Sequence, residues 1–166
     1  MGVAAVREAG AGDASAIAAV QLDVWRTAYA SFLPADVLGA VDADSATRAW
    51  KLAVISAGPA HVLVATEGSE VVGFAAGAGS ELSTLLVAPR WSRRGHGGRL
   101  LGALAERLRR GGAEHGEMWV AEGDQAARGF LPGHGWLPDG AVRTSQHGAQ
   151  VLRELRHTGT LHTSWE

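Results

Sequence analysis

The chain has 166 residues, 46% of them hydrophobic and 19% charged, with 15 basic residues against 17 acidic ones. That length suits one globular domain with a sizeable core, and the near-balanced charge excludes a protein whose whole surface is built to bind polyanions. Cysteine is absent, which rules out a disulfide framework, zinc fingers and thiol catalysis.

In chain order, Asp13 is placed to cap a helix that carries Ile17, Val20, Val24 and Ala28 on one face. A second helix is expected near Pro34. A third is expected from Asp44 or Ser45 through Trp50 and Val54, ending before Gly58-Pro59. HVLVATEGSEVVGFAAG reads as two strands joined by a Glu-Gly-Ser turn, and ELSTLLVAP as a further strand stopped by Pro89. Leu101, Leu104, Ala105 and Leu108 then form one stripe of a helix that ends at Gly111-Gly112. EMWVAE reads as a strand and DQAARGFL as a short helix. AVRTS and VLRELR read as two last strands hinged at His147-Gly148. TGTLHTSWE shows no pairing pattern, so a single domain is expected over residues 1–157 and a loose tail over 158–166. Helices alternating with strands, some in antiparallel pairs, make the class α/β. The first thirty residues carry Arg7, Glu8, Asp13 and Asp23 without a continuous apolar stretch, and no run approaches about 18 apolar residues. A cytoplasmic protein without a membrane span is the expectation.

Between Pro89 and the leucine-striped helix stands PRWSRRGHGGRLL, with Gly95, Gly97 and Gly98 among Arg90, Arg93, Arg94 and Arg99. Glycine costs about 1 kcal/mol against alanine inside a helix, so the bare backbone must serve a purpose. A strand, a glycine-rich turn and a helix start make an anion site, because the first helical N–H groups are unpaired and the helix dipole favours negative charge. Two phosphate motifs fail: the dinucleotide fingerprint needs glycine where Leu100 stands, and no Gly-Lys-Ser/Thr exists for a Walker A loop. A ligand-free loop would leave four arginines repelling one another. No metal site is expected, since His61, His115, His147, His157 and His162 are scattered and no H-E-x-x-H occurs. No G-x-S-x-G marks a hydrolase, and no nucleic acid or membrane partner is indicated.

ELSTLLVAPRWSRRGHGGRLL resembles the acyl-CoA-binding core of the GNAT superfamily of N-acetyltransferases. In that family a strand E-x-x-x-L-x-V-x-P leads into (Q/R)-x-x-G-x-(G/A) and a helix. Gly95 and Gly97 fall on the small-residue positions, and Ser92 departs from the leading Gln/Arg. EMWVAEGDQAARGFLPGHGW is similar to the family's later N-x-x-A-x-x-F-Y block, with Asp124 in place of Asn, Ala127 and Phe130 matching, and Gly135-Trp136 closing it. The likeness runs from about Val6 to Arg156 and takes in WRTAYASFLP, similar to the substrate-side first loop.

The resemblance implies a GNAT-like acyl-CoA N-acyltransferase fold, a central mixed, mostly antiparallel twisted sheet flanked by helices. It implies transfer of acetyl from acetyl-CoA to a small-molecule or peptide amine by direct attack in a ternary complex, and a homodimer as in many relatives. Arg93, Arg94, Gly95, His96, Gly97, Gly98 and Arg99 fall in the cradle that grips the pyrophosphate. A bulge in the preceding strand maps its oxyanion N–H to about Leu85 or Leu86, and Val87 pairs with the pantetheine amide. Asp124 and Phe130 border the cofactor. Glu81 falls where a carboxylate often acts as base through water; the other reading is a solvated strand end. Trp25 and Tyr29 either line the acceptor pocket or pack in the core. Leu131 stands where relatives place a tyrosine that protonates the leaving thiolate, and His134 or Tyr29 are substitutes, His134 otherwise being a plain loop residue. Two alternatives stay open: a transferase for a longer acyl-CoA, and a non-catalytic acyl-CoA-binding module.

Overall fold

The computed structural model describes residues 2–56 and 58–162. Seven strands form one sheet: β1 (Ala4–Glu8), β2 (Ala60–Glu67), β3 (Glu70–Ala78), β4 (Glu81–Val87), β5 (His115–Ala121), β6 (Leu137–His147) and β7 (Gln150–Thr160). The helices are α1 (Ala14–Thr27), α2 (Ala35–Gly39), α3 (Ala43–Ile55), α4 (His96–Arg110) and α5 (Gln125–Phe130). Strand order is β1-β2-β3-β4-β5-β7-β6, and every pair is antiparallel except β4 with β5. The mixed, mostly antiparallel sheet matches the expectation from the resemblance. β1 has no counterpart in the sequence reading, because five residues carry too little periodicity to register.

Helices cover both faces. On one, Leu100, Leu101, Leu104 and Leu108 of α4 pack on Leu63, Ala65, Val72 and Leu82. On the other, Ile17, Val20 and Val24 of α1 pack on Val64, Phe74 and Leu86, with Trp50 of α3 edge-on to Phe74 at 4.9 Å. Burying each large aliphatic side chain contributes about 1.5–3 kcal/mol, so the two layers hold the sheet from both sides. Ala28 falls just beyond α1 and is exposed. Asp13 stands at the N-cap of α1 as expected, but its carboxylate does not bond that helix. Asp13 turns back to the Gly10 N–H at 2.8 Å and to Arg7, whose guanidinium holds the Asp13 carboxyl below the usual carboxylate range. For α3 the cap is Asp42, which accepts from the Ser45 N–H at 2.8 Å.

Leu82 and Leu85 lie three residues apart yet pack against the same α4-facing core. Strict alternation forbids that. A bulge explains it: Ala76 pairs with Thr84 and Gly77 with Leu82, so Ser83 is the extra residue and the phase of β4 flips there. The Ser83 hydroxyl donates to the Ala76 carbonyl at 3.0 Å and holds the bulge closed. The bulge thus lies two to three residues before Leu85 and Leu86, the residues expected to supply the oxyanion N–H.

The expected tail is corrected for residues 158–162. β7 runs on to Thr160, pairing it with His115, and Leu161 is 1% exposed inside the main core beside Trp136. No local period announces this, since Leu161 is held by contacts remote in sequence. Residues 163–166 lie outside the described residues. No helix among the described residues is long and apolar enough to cross a membrane.

Candidate active site

β4 and β5 are neighbours in the sheet, yet their ladder consists of Glu81 opposite Glu117, with the Glu117 N–H donating to the Ser80 carbonyl at 2.9 Å. Past that point no strand pairing joins them among the described residues. β3 occupies one edge of β4 along its whole length, so the other edge, from Thr84 to Val87, faces a gap inside the sheet. Backbone N–H and C=O groups demand partners. An extended molecule carrying amides fits such an edge, and Glu81 stands exposed at its closed end.

The open end leads to the glycine-rich loop. Ala88 is buried, Pro89–Trp91 form a 3-10 turn, and Ser92 closes it by donating its hydroxyl to the Pro89 carbonyl at 2.8 Å. Two residues then turn left-handed: Arg93 at φ 62° and Gly95 at φ 85°. Arg93 is the only non-glycine residue at positive φ among the described residues. Gly95 is the cap of α4, and a left-handed residue followed by a helical one points successive N–H groups into a concave nest suited to an anion.

The four arginines do not simply repel. Arg90 pairs with Glu70 and Arg94 with Glu67 at 3.6 Å, both carboxylates coming from the β2–β3 hairpin. Arg99 donates to the Arg94 carbonyl at 3.2 Å and to His96 at 3.1 Å. His96 is 1% exposed and bonds Glu67 at 3.0 Å, so its side chain turns away from the nest and only its backbone belongs to it. Among the described residues Arg93 alone of the four has no hydrogen bond or ion pair. The premise that a ligand-free loop leaves all these cations unbalanced is thus corrected, because Glu67 and Glu70 balance two of them, Arg94 and Arg90, and Arg99 is tied to a carbonyl and to His96.

α5 closes over the start of α4. A Cβ on Gly97 would stand 3.3 Å from the Phe130 ring and one on Gly98 would stand 3.1 Å from His134 Nε2, so a side chain at either position would crowd these rings. His134 stacks on Phe130 at 4.2 Å between centroids, and its Nδ1 lies 3.0 Å from the Phe130 carbonyl. A carbonyl only accepts, so Nδ1 carries a proton, and Nε2 faces α4. Asp124 is buried, accepts from the Ala127 N–H at 3.1 Å and caps α5. Tyr29 lies beside it. Burial foremost, and then the Asp124 carboxylate, push the Tyr29 hydroxyl well above its ordinary pKa of 10. Phe32 abuts Gly123 and completes this seam between the α1–α2 loop and the β5–α5 turn.

The description "Acetyltransferase (GNAT) family" belongs to the family model that matches residues 23–136. The chain belongs to the GNAT acetyltransferase family. It is similar in structure to a GCN5-related N-acetyltransferase from Rhodopseudomonas palustris, with a TM-score of 0.77, 21% identity, and 96% of this chain and 97% of that one covered. It is also similar to paia N-acetyltransferase from Thermoplasma acidophilum in complex with coenzyme A, with a TM-score of 0.78, 15% identity and coverage of 95% and 99%. A third is yncA from Salmonella typhimurium, a putative acetyltransferase with its cofactor acetyl-CoA, with a TM-score of 0.75, 21% identity and coverage of 99% and 97%. No curated protein matches this chain.

Within this GNAT fold, the residues expected at the site gather on three elements. Leu85, Leu86 and Val87 line the unpaired edge of β4, with Leu85 and Val87 packed on the α4 side and Leu86 on the α1 side. Gly95 to Arg99 form the first turn of α4 and its cap. Asp124 and Phe130 bracket α5. Trp25 and Tyr29 both pack against the α1-side core, and Trp25 also lines an open recess of about 300 Å³ with Leu22, Arg26, Ala30, Leu38 and Val41. Leu131 is 1% exposed in the main core, so it points away from solvent. The sequence reading missed Glu67, Glu70, Trp91 and Ser83. Only Ser83 left a local signal, as a polar residue interrupting a leucine run.

Proposed function

We propose that this protein transfers the acetyl group of acetyl-CoA to a primary amine of a small molecule or peptide, by direct attack within a ternary complex. The observation that carries this reading is the unpaired edge of β4 running from Glu81 into the N–H nest at the start of α4. One edge offers backbone partners to an extended amide-bearing arm, and the nest offers donors to a pyrophosphate. Coenzyme A has these two parts at its two ends. Similar structures solved with coenzyme A and with acetyl-CoA support the same donor.

Acetyl-CoA supplies the acyl group as a thioester. The N–H groups of residues 95–99 and the free Arg93 guanidinium hold its phosphates. Backbone groups of Leu85 to Val87 hold the pantetheine arm, and an N–H of this strand at about Leu85 or Leu86 stabilises the developing oxyanion. Glu81, exposed at the closed end of the gap, takes the amine proton through water. Proton delivery to the leaving thiolate is the step with no obvious side chain. Leu131 is buried and carries no proton, Tyr29 is largely buried beside Asp124 with its hydroxyl held well above the ordinary pKa, and His134 engages the Phe130 carbonyl through Nδ1. A thiol has an ordinary pKa of about 8.5, so thiolate departs near neutral pH with water as the donor.

The test is CoA release in the presence of acetyl-CoA and a panel of amines of differing charge and size. Release dependent on one amine class supports the reading. Tight acetyl-CoA binding with no release on any amine would move the protein to the non-catalytic binding class.

A further inference from the structure

The geometry points to Glu67 as a positioning residue that sets the acyl-CoA loop in its binding shape before the ligand arrives, an inference that rests on the acetyl-CoA reading above. The proton inventory leads to it. Arg99 only donates, so its Nη2 at 3.1 Å makes His96 Nδ1 the acceptor. Nε2 then carries the ring proton and donates to Glu67 Oε1 at 3.0 Å. Arg94 reaches the second oxygen, Oε2, at 3.6 Å. One carboxylate at the end of β2 thereby holds the first residue of α4 and the arginine two positions earlier, on either side of the left-handed Gly95. The His96 side chain is fully buried and that of Glu67 is 17% exposed, so little water competes for these bonds.

The neighbouring residues repeat the arrangement. Glu70, across the hairpin from Glu67, pairs with Arg90. Arg90 and Arg94 both stand over the Trp91 ring, at 5.8 and 4.7 Å. The hairpin thus grips the loop through two carboxylates.

This contact is more than a general brace of the fold. α4 is anchored by four buried leucines that do not depend on Glu67. Residues 92–95, in contrast, are all exposed and have no apolar anchor. What Glu67 holds is therefore the segment whose N–H groups face the phosphates. With the carboxylate removed, Arg93, Arg94 and Arg99 repel one another and the left-handed Arg93 relaxes. The cost of ordering the loop then falls on the binding step.

The experiment combines calorimetry with acetyl-CoA, steady-state kinetics on an accepted amine, and amide hydrogen exchange of the ligand-free protein. Glu67→Gln is expected to raise Kd and KM for acetyl-CoA about tenfold, with kcat and the amine KM within about twofold. Glu67→Asp, which keeps the charge, is expected to recover part of the loss. Exchange at residues 92–98 is expected to quicken in ligand-free Glu67→Gln and Arg94→Gln alike. The effects of the two substitutions on Kd are expected to be less than additive, because both break the Glu67–Arg94 contact. Unchanged exchange, additive effects, or a Glu67→Gln Kd within twofold of wild type overturns the inference while the acetyl-CoA reading stands. Wild type that binds no acetyl-CoA overturns both. If Glu67→Gln does not fold, exchange in Arg94→Gln decides, since a direct phosphate contact would leave the ligand-free loop unchanged.

Discussion

Phe130 lies against Gly97, where an added Cβ would stand 3.3 Å from Cζ of the ring and 4.0 Å from the Val87 side chain. The glycine therefore serves two needs, admitting the α5 ring and leaving the second N–H of α4 uncovered. A Gly97→Val side chain would push Phe130 outward or cover the nest. We expect it to weaken acetyl-CoA binding at least tenfold, with Ser92→Ala within about twofold of wild type, since Ser92 bonds only the Pro89 carbonyl. Calorimetry on both variants checks this. Wild-type affinity in Gly97→Val would show that the nest is not the phosphate site.

Arg93 combines a left-handed backbone with an unpaired guanidinium. A non-glycine residue held there stores about 1 kcal/mol, and the fold keeps it. Arg93→Gly should leave thermal stability unchanged or slightly higher while weakening acetyl-CoA binding several-fold. The loss should shrink as salt rises, because an exposed charge is screened. Melting curves and binding at two ionic strengths test both halves. A salt-independent loss would mean that backbone shape, and not charge, is what Arg93 supplies.

Glu81 stands exposed at the one point where β4 and β5 pair. Glu81→Gln keeps its size and removes its basicity. A general base contributes about 10²–10⁴-fold, so kcat should fall by at least 10² while the acetyl-CoA Kd stays within twofold. Steady-state kinetics with a good acceptor measures this, and a loss under threefold would leave Glu81 as a solvated strand end.

Tyr29 is the only tyrosine in the chain, so its ionisation can be followed by tyrosinate absorbance without interference. Its hydroxyl is raised above the ordinary value by burial and by Asp124. The folded protein should show no tyrosinate about one unit above pH 10, and absorbance should appear together with unfolding. The sign follows from proton counting: above pH 10 the unfolded chain loses a proton that the folded one keeps, so stability falls as pH rises. Tyr29→Phe should remove that contribution to the alkaline limb. A Tyr29 that titrates normally in the folded state would show that the hydroxyl is open to solvent.

Local chemistry made much of this protein legible in one dimension. The leucine stripe of α4, the hairpin around Gly68-Ser69, the glycines before α4 and the capped α5 each arise from residues a few positions apart, and short-range periodicity and backbone freedom decide them. The family likeness rests on the same two short blocks. Other features needed the folded chain. Glu67 reaches His96 across 29 positions, and a glutamate in a turn carries no mark of that destination. The bulge at Ser83 depends on how β3 and β4 register, and that register sets the faces of Leu82 and Leu85. Leu161 and Leu131 are core residues only because Trp136, α4 and the end of β7 converge on them. Burial and charge pairing are sums over neighbours distant in sequence, so the strand-and-loop pattern could be read early. Which side chains face the phosphates, and which hold the loop, was decided only by tertiary structure.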